Sequence, residues 1–399
     1  MAAASGVGRD GRRAVGPDPA EVRSTYASPA AATTALDRFV QGVRDRDEHA
    51  LSALAPTDDD VAVDRLAAIA RNAAALDLVG VDARYVDQVG SIAPDGSWTG
   101  VVELTWRIPG FDPGTSRADV LVDFRPDDDG LAVAGLGDAT RAGARTPLWL
   151  QGELAVARTS DTLVMVHGSP ARARAVLDRV GRGVDVVRRV LTDWDGRAVV
   201  EVPASAAGLD RALGVESGTN ARIAAVTASV DGSATPRSPV HVFVNPDATK
   251  GFRRAGAQVT MSHELVHLAT AAVGSPVEPW LLEGFADYVA LREVSLPDRV
   301  TLARAIQDVQ ENGVPRTLPG ARDFGVRGRT LQARYEQAWL ACWIIAERRG
   351  EAALVSAYED AATGATTSVA LRRAGLPLDR LRQAWRARIT RMAARRSGG

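Results

Sequence analysis

The chain has 399 residues, and its 48 Lys and Arg face 49 Asp and Glu, for a net charge of −1. That length exceeds one ordinary core and predicts two or three domains, and the balanced charge argues against a general nucleic-acid or acidic-membrane binder. A single cysteine, Cys342, excludes an internal disulfide framework and reads as a buried, inert thiol in an apolar helical run.

Residues 1–30 are Gly, Pro, Ala and charges without periodicity, and read as a disordered tail with no apolar core of a secretory signal. An uneven stripe of Leu36, Phe39, Val40, Val43 and Leu51 predicts one amphipathic helix over 31–54, with His49 on its polar side, and a second helix is expected over 61–75. Three β-like runs follow at 79–89, 99–108 and 118–124, then a weaker one at 130–136 after the turn Asp127-Asp128-Asp129-Gly130. Helices followed by an antiparallel sheet suggest a small α+β accessory domain over 31–140, of cystatin or NTF2 type. It shows no acid/base pair and no Gly-rich loop after a strand, so an accessory or binding role fits it better than a second enzyme.

Residues 137–146 read as a Gly/Arg/Thr-rich linker. A strand pair is expected at 148–157 and 162–167, a helix at 170–193, a short buried strand at 198–202, a helix at 206–213, and strands at 222–230 and 240–245. His167 closes one strand and His241 opens another; either could line the cleft, though both read better as ordinary strand-end histidines, and neither is needed as a metal ligand. Beyond the motif region, helical periodicity covers 297–310, 330–348, 352–361 and 376–392, with a polar, Gly-rich stretch at 313–329 that could border a cleft. The Arg-rich end also carries Leu378, Leu381, Trp385 and Ile389 at helical spacing, so it reads as a packed helix with a solvated basic face. No stretch reaches the roughly 18 apolar residues that a membrane span needs. The expected address is therefore the cytoplasm, or beyond it if the true start lies upstream of Met1.

The chemistry concentrates in Met261-Ser262-His263-Glu264-Leu265-Val266-His267-Leu268 and Trp280-Leu281-Leu282-Glu283-Gly284-Phe285-Ala286-Asp287-Tyr288. Residues 260–272 contain no Pro or Gly and predict a helix. Four residues turn a helix by about 400°, so His263 and His267 project from one face, as two imidazoles must to share a zinc ion. Glu264 is placed to reach a metal-bound water. Gly274, Pro276 and Pro279 break the helix, and the short connection makes the next helix a neighbour. Glu283 would then face the histidines as the third ligand, and Asp287, one turn on, is placed to accept the free ring N–H of His263.

His-Glu-x-x-His followed by Glu-Gly-Phe-Ala-Asp-Tyr resembles the gluzincin metallopeptidases, the thermolysin and aminopeptidase N-like superfamily. The resemblance covers about the last 250 residues. It implies Zn2+ as cofactor, His263, His267 and Glu283 as metal ligands, Glu264 as general base and Asp287 as the supporting carboxylate. Tyr335-Glu336-Gln337-Ala338 resembles that family's Tyr-Glu-x-Gly segment, which implies that Tyr335 donates to the oxyanion; Ala338 stands where the pattern has Gly. The family's Gly-x-Met-Glu-Asn strand, which grips a free α-amino group, has no counterpart upstream of His263, so the resemblance does not extend to an aminopeptidase. The implied architecture is a sheet-containing lobe over 147–258 and a zinc-helix and helical lobe over 259–399. An edge strand, either 222–230 or 240–245, would pair with a peptide or protein substrate. Two further readings stay open: a binding or scaffold protein that keeps the fold without turnover, and a structural metal site closed by a fourth protein ligand.

Overall fold

The computed structural model describes residues 27–128, 130–137, 141–235, 237–294, 297–325 and 330–396, and is a mixture of α-helices and β-sheets. Residues 1–26 of the expected tail, Asp129 of the expected turn, 138–140 of the linker and 326–329 of the polar stretch lie outside the described residues.

Ser28 starts α1 (Pro29–Asp45). Its hydroxyl accepts from the Ala31 amide at 3.3 Å, and Pro29 brings a preset φ to the first turn. The helix expected over 31–54 is in fact two. Arg46 adopts φ 58°, which ends α1, and the Asp47 carboxylate accepts from the Ala50 amide at 2.9 Å to begin α2 (Glu48–Ser52). After α3 (Asp60–Leu76) comes an antiparallel meander of β1 (Val79–Val89), β2 (Trp98–Arg107), β3 (Ser116–Asp127) and β4 (Gly130–Leu136), paired in that order. Leu36, Phe39 and Val40 of α1 and Leu66, Ile69 and Leu76 of α3 share one core with Val102, Leu104, Val120, Val122 and Phe124 of the meander.

A second, five-stranded sheet is ordered β5 (Ala155–Arg158), β6 (Thr162–Val166), β7 (Ala198–Val202), β9 (Val240–Val244), β8 (Ala225–Ser229). The central β6, β7 and β9 are parallel, and the two edge strands run antiparallel to their neighbours. Side-chain alternation divides the sheet between two cores. Val164, Val166, Val200, Val202 and Val242 pack with α4 (Pro170–Arg188), while Leu163, Met165, Val199 and Phe243 join the core of the amino-terminal half. A sheet covered on both faces needs apolar residues at nearly every position, which is why 162–166 and 198–202 read as unbroken runs. α5 (Ala206–Leu213) connects β7 towards β8.

The strand expected from Leu148 begins only at Ala155. Residues 148–150 form a 3-10 turn because Asn72 of α3 takes over the local backbone groups. Its Nδ2 donates to the carbonyls of Trp149 (2.9 Å) and Gly152 (2.8 Å), and its Oδ1 accepts from the Leu154 amide (3.0 Å). α4 stops at Arg188 rather than Asp193. The Arg188 guanidinium donates to the Trp194 carbonyl at 3.0 Å and holds the chain in the turn that follows.

His241 is no ordinary strand-end residue. It is buried on the face of β9 that meets the amino-terminal half, with Glu201 Oε1 2.6 Å from Nδ1 and Asp112 Oδ1 3.0 Å from Nε2. Asp112 sits between β2 and β3, and its other oxygen accepts from the Ile108 amide at 2.8 Å. Burial works against a charged imidazole here, but hydrogen bonds to Asp112 and Glu201 outweigh it and raise the pKa to about 9. His167 lies elsewhere, with its Nδ1 3.0 Å from the Glu153 carbonyl, and His49 is exposed on α2.

Among the described residues everything after β9 is helical: α6 (Pro246–Thr249), α7 (Arg254–Ala269), α8 (Pro279–Ala290), α9 (Asp298–Thr301), α10 (Ala303–Asn312), α11 (Leu331–Arg349), α12 (Glu351–Ala362), α13 (Thr367–Arg373) and α14 (Leu378–Arg396). The helix expected over 297–310 divides at Leu302, because Glu336 of α11 accepts from the first amides of α10, Arg304 and Ala305, both at 2.8 Å. Leu381, Trp385 and Ile389 of α14 are fully buried, as an amphipathic basic helix requires. None of the described helices is long and apolar enough to cross a membrane.

α8 and α11 approach more closely than ordinary side chains allow. A Cβ built on Gly284 would lie 2.4 Å from the Ala338 carbonyl oxygen and 2.9 Å from the buried Cys342 Sγ. Gly284→Ala should therefore push the two helices apart and cost about 1–3 kcal/mol of stability, read from the denaturant midpoint. A second expectation concerns pH. The folded-state pKa of His241 is raised, so its contribution is complete below the ordinary imidazole value of 6.5 and is lost as pH climbs through about 9. Thermal melts across that range should show an alkaline decline that His241→Gln flattens.

Candidate metal centre

α7 brings Met261, Leu265 and Val266 into the core, which fixes the rotation of the helix and leaves His263 and His267 together on the adjoining face. The helix closes at Ala271, a non-glycine residue at φ 48°, and the Ala272 amide returns to the His267 carbonyl at 2.9 Å. Pro279 then opens α8, whose Trp280, Leu281, Phe285 and Val289 are buried. Those four residues set the rotation that turns Glu283 and Asp287 towards α7.

Three donor atoms meet at one point. His263 Nε2 is 3.0 Å from His267 Nε2 and 3.2 Å from Glu283 Oε2, and His267 Nε2 is 3.4 Å from the same oxygen. Donors that each lie about 2.1 Å from one tetrahedral zinc ion are separated by roughly 3.4 Å, so this spacing fits a single ion. The chemistry of the donors fits too. Asp287 Oδ1 lies 2.8 Å from His263 Nδ1, and a carboxylate can only accept, so the Nδ1 carries a proton and Nε2 is the ring atom that faces the cluster. A cation between them would satisfy both imidazole nitrogens and the carboxylate oxygen at once. Among the described residues His267 has no such outer support, since its buried Nδ1 finds no hydrogen-bond partner there.

The electrostatics carry the same preference for positive charge. Burial opposes protonation of His263, yet Asp287 and Glu283 hold its pKa well above the usual imidazole range. Burial likewise opposes ionisation of Glu283, and hydrogen bonds from His263 and His267 reverse that, holding its carboxyl well below the usual range.

Tyr335 of α11 stands at the rim of this cluster. Its ring lies edge-on to the His263 ring, centroids 6.0 Å apart, and Phe324 packs edge-on against it at 5.3 Å. Burial first, then the charge of Glu283, pushes the phenol pKa far above its usual value, so the hydroxyl keeps its proton as a donor. The structure thus brings His263, His267, Glu283, Asp287 and Tyr335 into one neighbourhood.

Glu264 is buried, and the Thr227 hydroxyl of β8 reaches it, 2.8 Å from Oε2 and 3.0 Å from the Glu264 carbonyl oxygen. Two of these neighbours, Thr227 and Phe324, escape the sequence reading. Phe324 is the one aromatic residue of the polar stretch 313–329, a signal visible in the sequence. Thr227 lies in a run already marked as a possible edge strand, but nothing in the sequence pairs it with a residue 37 positions away.

No protein-family model matches this chain, and a search of curated proteins returns no match.

Proposed function

We propose that this chain is a zinc-dependent metallopeptidase of gluzincin type, with Zn2+ held by His263, His267 and Glu283. The observation that carries the reading is the convergence of two imidazole nitrogens and one carboxylate oxygen within 4.8 Å of one another, from separate helices. We read residues 31–140 as a cystatin- or NTF2-like accessory domain, 147–258 as the sheet-containing lobe of the peptidase domain, and 259–399 as its zinc-helix and helical lobe. Of the two strands considered for pairing with substrate, β8 is the one at the sheet edge, and its Thr227 contacts Glu264.

Zinc in this position supplies a Lewis acid for a peptide carbonyl and lowers the pKa of water to about 7. The chain's own residues supply the rest. Glu264 takes the proton of the attacking water and delivers it to the departing amine nitrogen. The Tyr335 hydroxyl, held neutral by burial, donates to the carbonyl oxygen as negative charge collects there. Asp287 keeps the His263 ring in one tautomer and one orientation. The substrate is a peptide or protein.

Two outcomes test this reading. The purified protein should hold one zinc per chain by elemental analysis, and Glu283→Ala should lose it. Against a peptide library, Glu264→Gln should retain the metal and lose about 10²–10⁴ in kcat; equal cleavage by parent and variant would remove Glu264 from the mechanism. Tyr335→Phe should keep both metal and KM and lower kcat by about 10²–10³, measured on whichever peptide the parent cleaves.

A further inference from the structure

We infer that Thr227, on the edge strand β8, is a positioning residue that sets the orientation of the Glu264 carboxylate. This rests on the reading of Glu264 as general base. Glu264 is a long side chain on the helix that carries the histidines, and with a free χ rotation its carboxylate would sample several staggered orientations. A base that moves a proton between water and a leaving nitrogen must be held within hydrogen-bond reach of both. Neither a helix nor its apolar neighbours can impose that, since they offer no donor to a carboxylate.

Thr227 offers one. Its neighbours Val226 and Ala228 pack with the amino-terminal core, so strand alternation turns the Thr227 side chain to the opposite face of the sheet, where α7 lies. Its hydroxyl proton is shared between Glu264 Oε2 at 2.8 Å and the Glu264 carbonyl oxygen at 3.0 Å. One group therefore ties down both the helix backbone and the carboxylate of the same residue. No other side chain among the described residues hydrogen-bonds that carboxylate, so Oε1 stays free to take a proton. The contact also registers α7 against the outermost strand of the sheet. Position along β8 is fixed in turn by the Thr227↔Val242 pairing with β9. The base is thus aligned to the strand edge rather than to its own helix alone.

Threonine suits this place on two counts. Its β-branch favours an extended backbone, and its hydroxyl supplies the donor. Thr227→Val keeps shape and strand preference and removes only the donor. Thr227→Ser keeps the donor and removes the methyl group.

The test uses the full zinc-loaded chain with a peptide that the parent cleaves. Thr227→Val should lower kcat by about 10- to 100-fold, the scale expected of a group that orients an active-site side chain, with KM and zinc content unchanged. Thr227→Ser should return kcat to within about threefold of the parent. A role in strand stability alone would instead be rescued by valine and not by serine, and that pattern overturns the assignment. A crystal structure of zinc-loaded Thr227→Val gives a readout independent of activity: the Glu264 carboxylate should leave the β8 edge, and an unmoved carboxylate overturns the assignment as well. If the parent and Glu264→Gln are equally inactive on every peptide, the peptidase reading fails, and the crystallographic arm still decides what Thr227 holds.

Discussion

Two imidazole nitrogens and a carboxylate oxygen, packed about 3 Å apart in a largely buried setting, form an arrangement that no folding force would assemble for its own sake. Everything else near the cluster reads as scaffolding for it. α7 and α8 are each rotated by a full set of buried apolar residues, and each then presents its polar residues to the same gap. Asp287 secures one imidazole from behind. The free energy that holds the donors together comes from the burial of residues such as Leu265, Trp280 and Phe285, at roughly 1.5–3 kcal/mol each, and that sum is large enough to override mutual repulsion among a few polar atoms.

The second sheet is the wall against which this is built. One face carries α4 and α7, while the other is sealed by the amino-terminal half through a continuous apolar core. Within that seal lies the His241, Glu201 and Asp112 cluster. Both ring nitrogens of a charged imidazole are matched by carboxylates drawn from separate parts of the chain. Removing one partner from such a buried set leaves a charge uncompensated. The amino-terminal half is therefore bound to the sheet by a contact with narrow geometric tolerance, in addition to apolar area. Asn72 adds a second such contact by gripping the connection at residues 149–154.

What could be read from the sequence follows from how far apart the interacting residues lie. His263 and His267 share a helix turn, and Glu283 and Asp287 share another, so periodicity alone was enough to put each pair on one face. Most strands were legible because sheet burial makes them continuous or alternating apolar runs. Helix ends were less legible where a distant side chain decides them. The division at Leu302 depends on Glu336, more than thirty residues on, and the missing strand at Leu148 depends on Asn72, whose bond to Trp149 spans 77 residues. His241 gives no local signal of its role because its partners lie 40 and 129 positions away. Glu201 inside the run Ala198-Val199-Val200-Glu201-Val202 was the available hint, since a carboxylate in a doubly covered strand needs a partner.

Ala338, at the end of Tyr335-Glu336-Gln337-Ala338, sits where α11 meets α8. What the α8–α11 crossing needs is space at the point of closest approach, and Gly284 supplies it from the α8 side. With no side chain on α8 there, the Ala338 backbone of α11 comes in close, and Ala338 is fully buried at the crossing. Tyr335 lies one turn before Ala338 on the same helical face, so the depth of this crossing governs how far its ring reaches towards His263. A glycine placed next to Glu283 thus serves the cluster twice, once by letting α11 dock and once by letting that docking carry a tyrosine to His263.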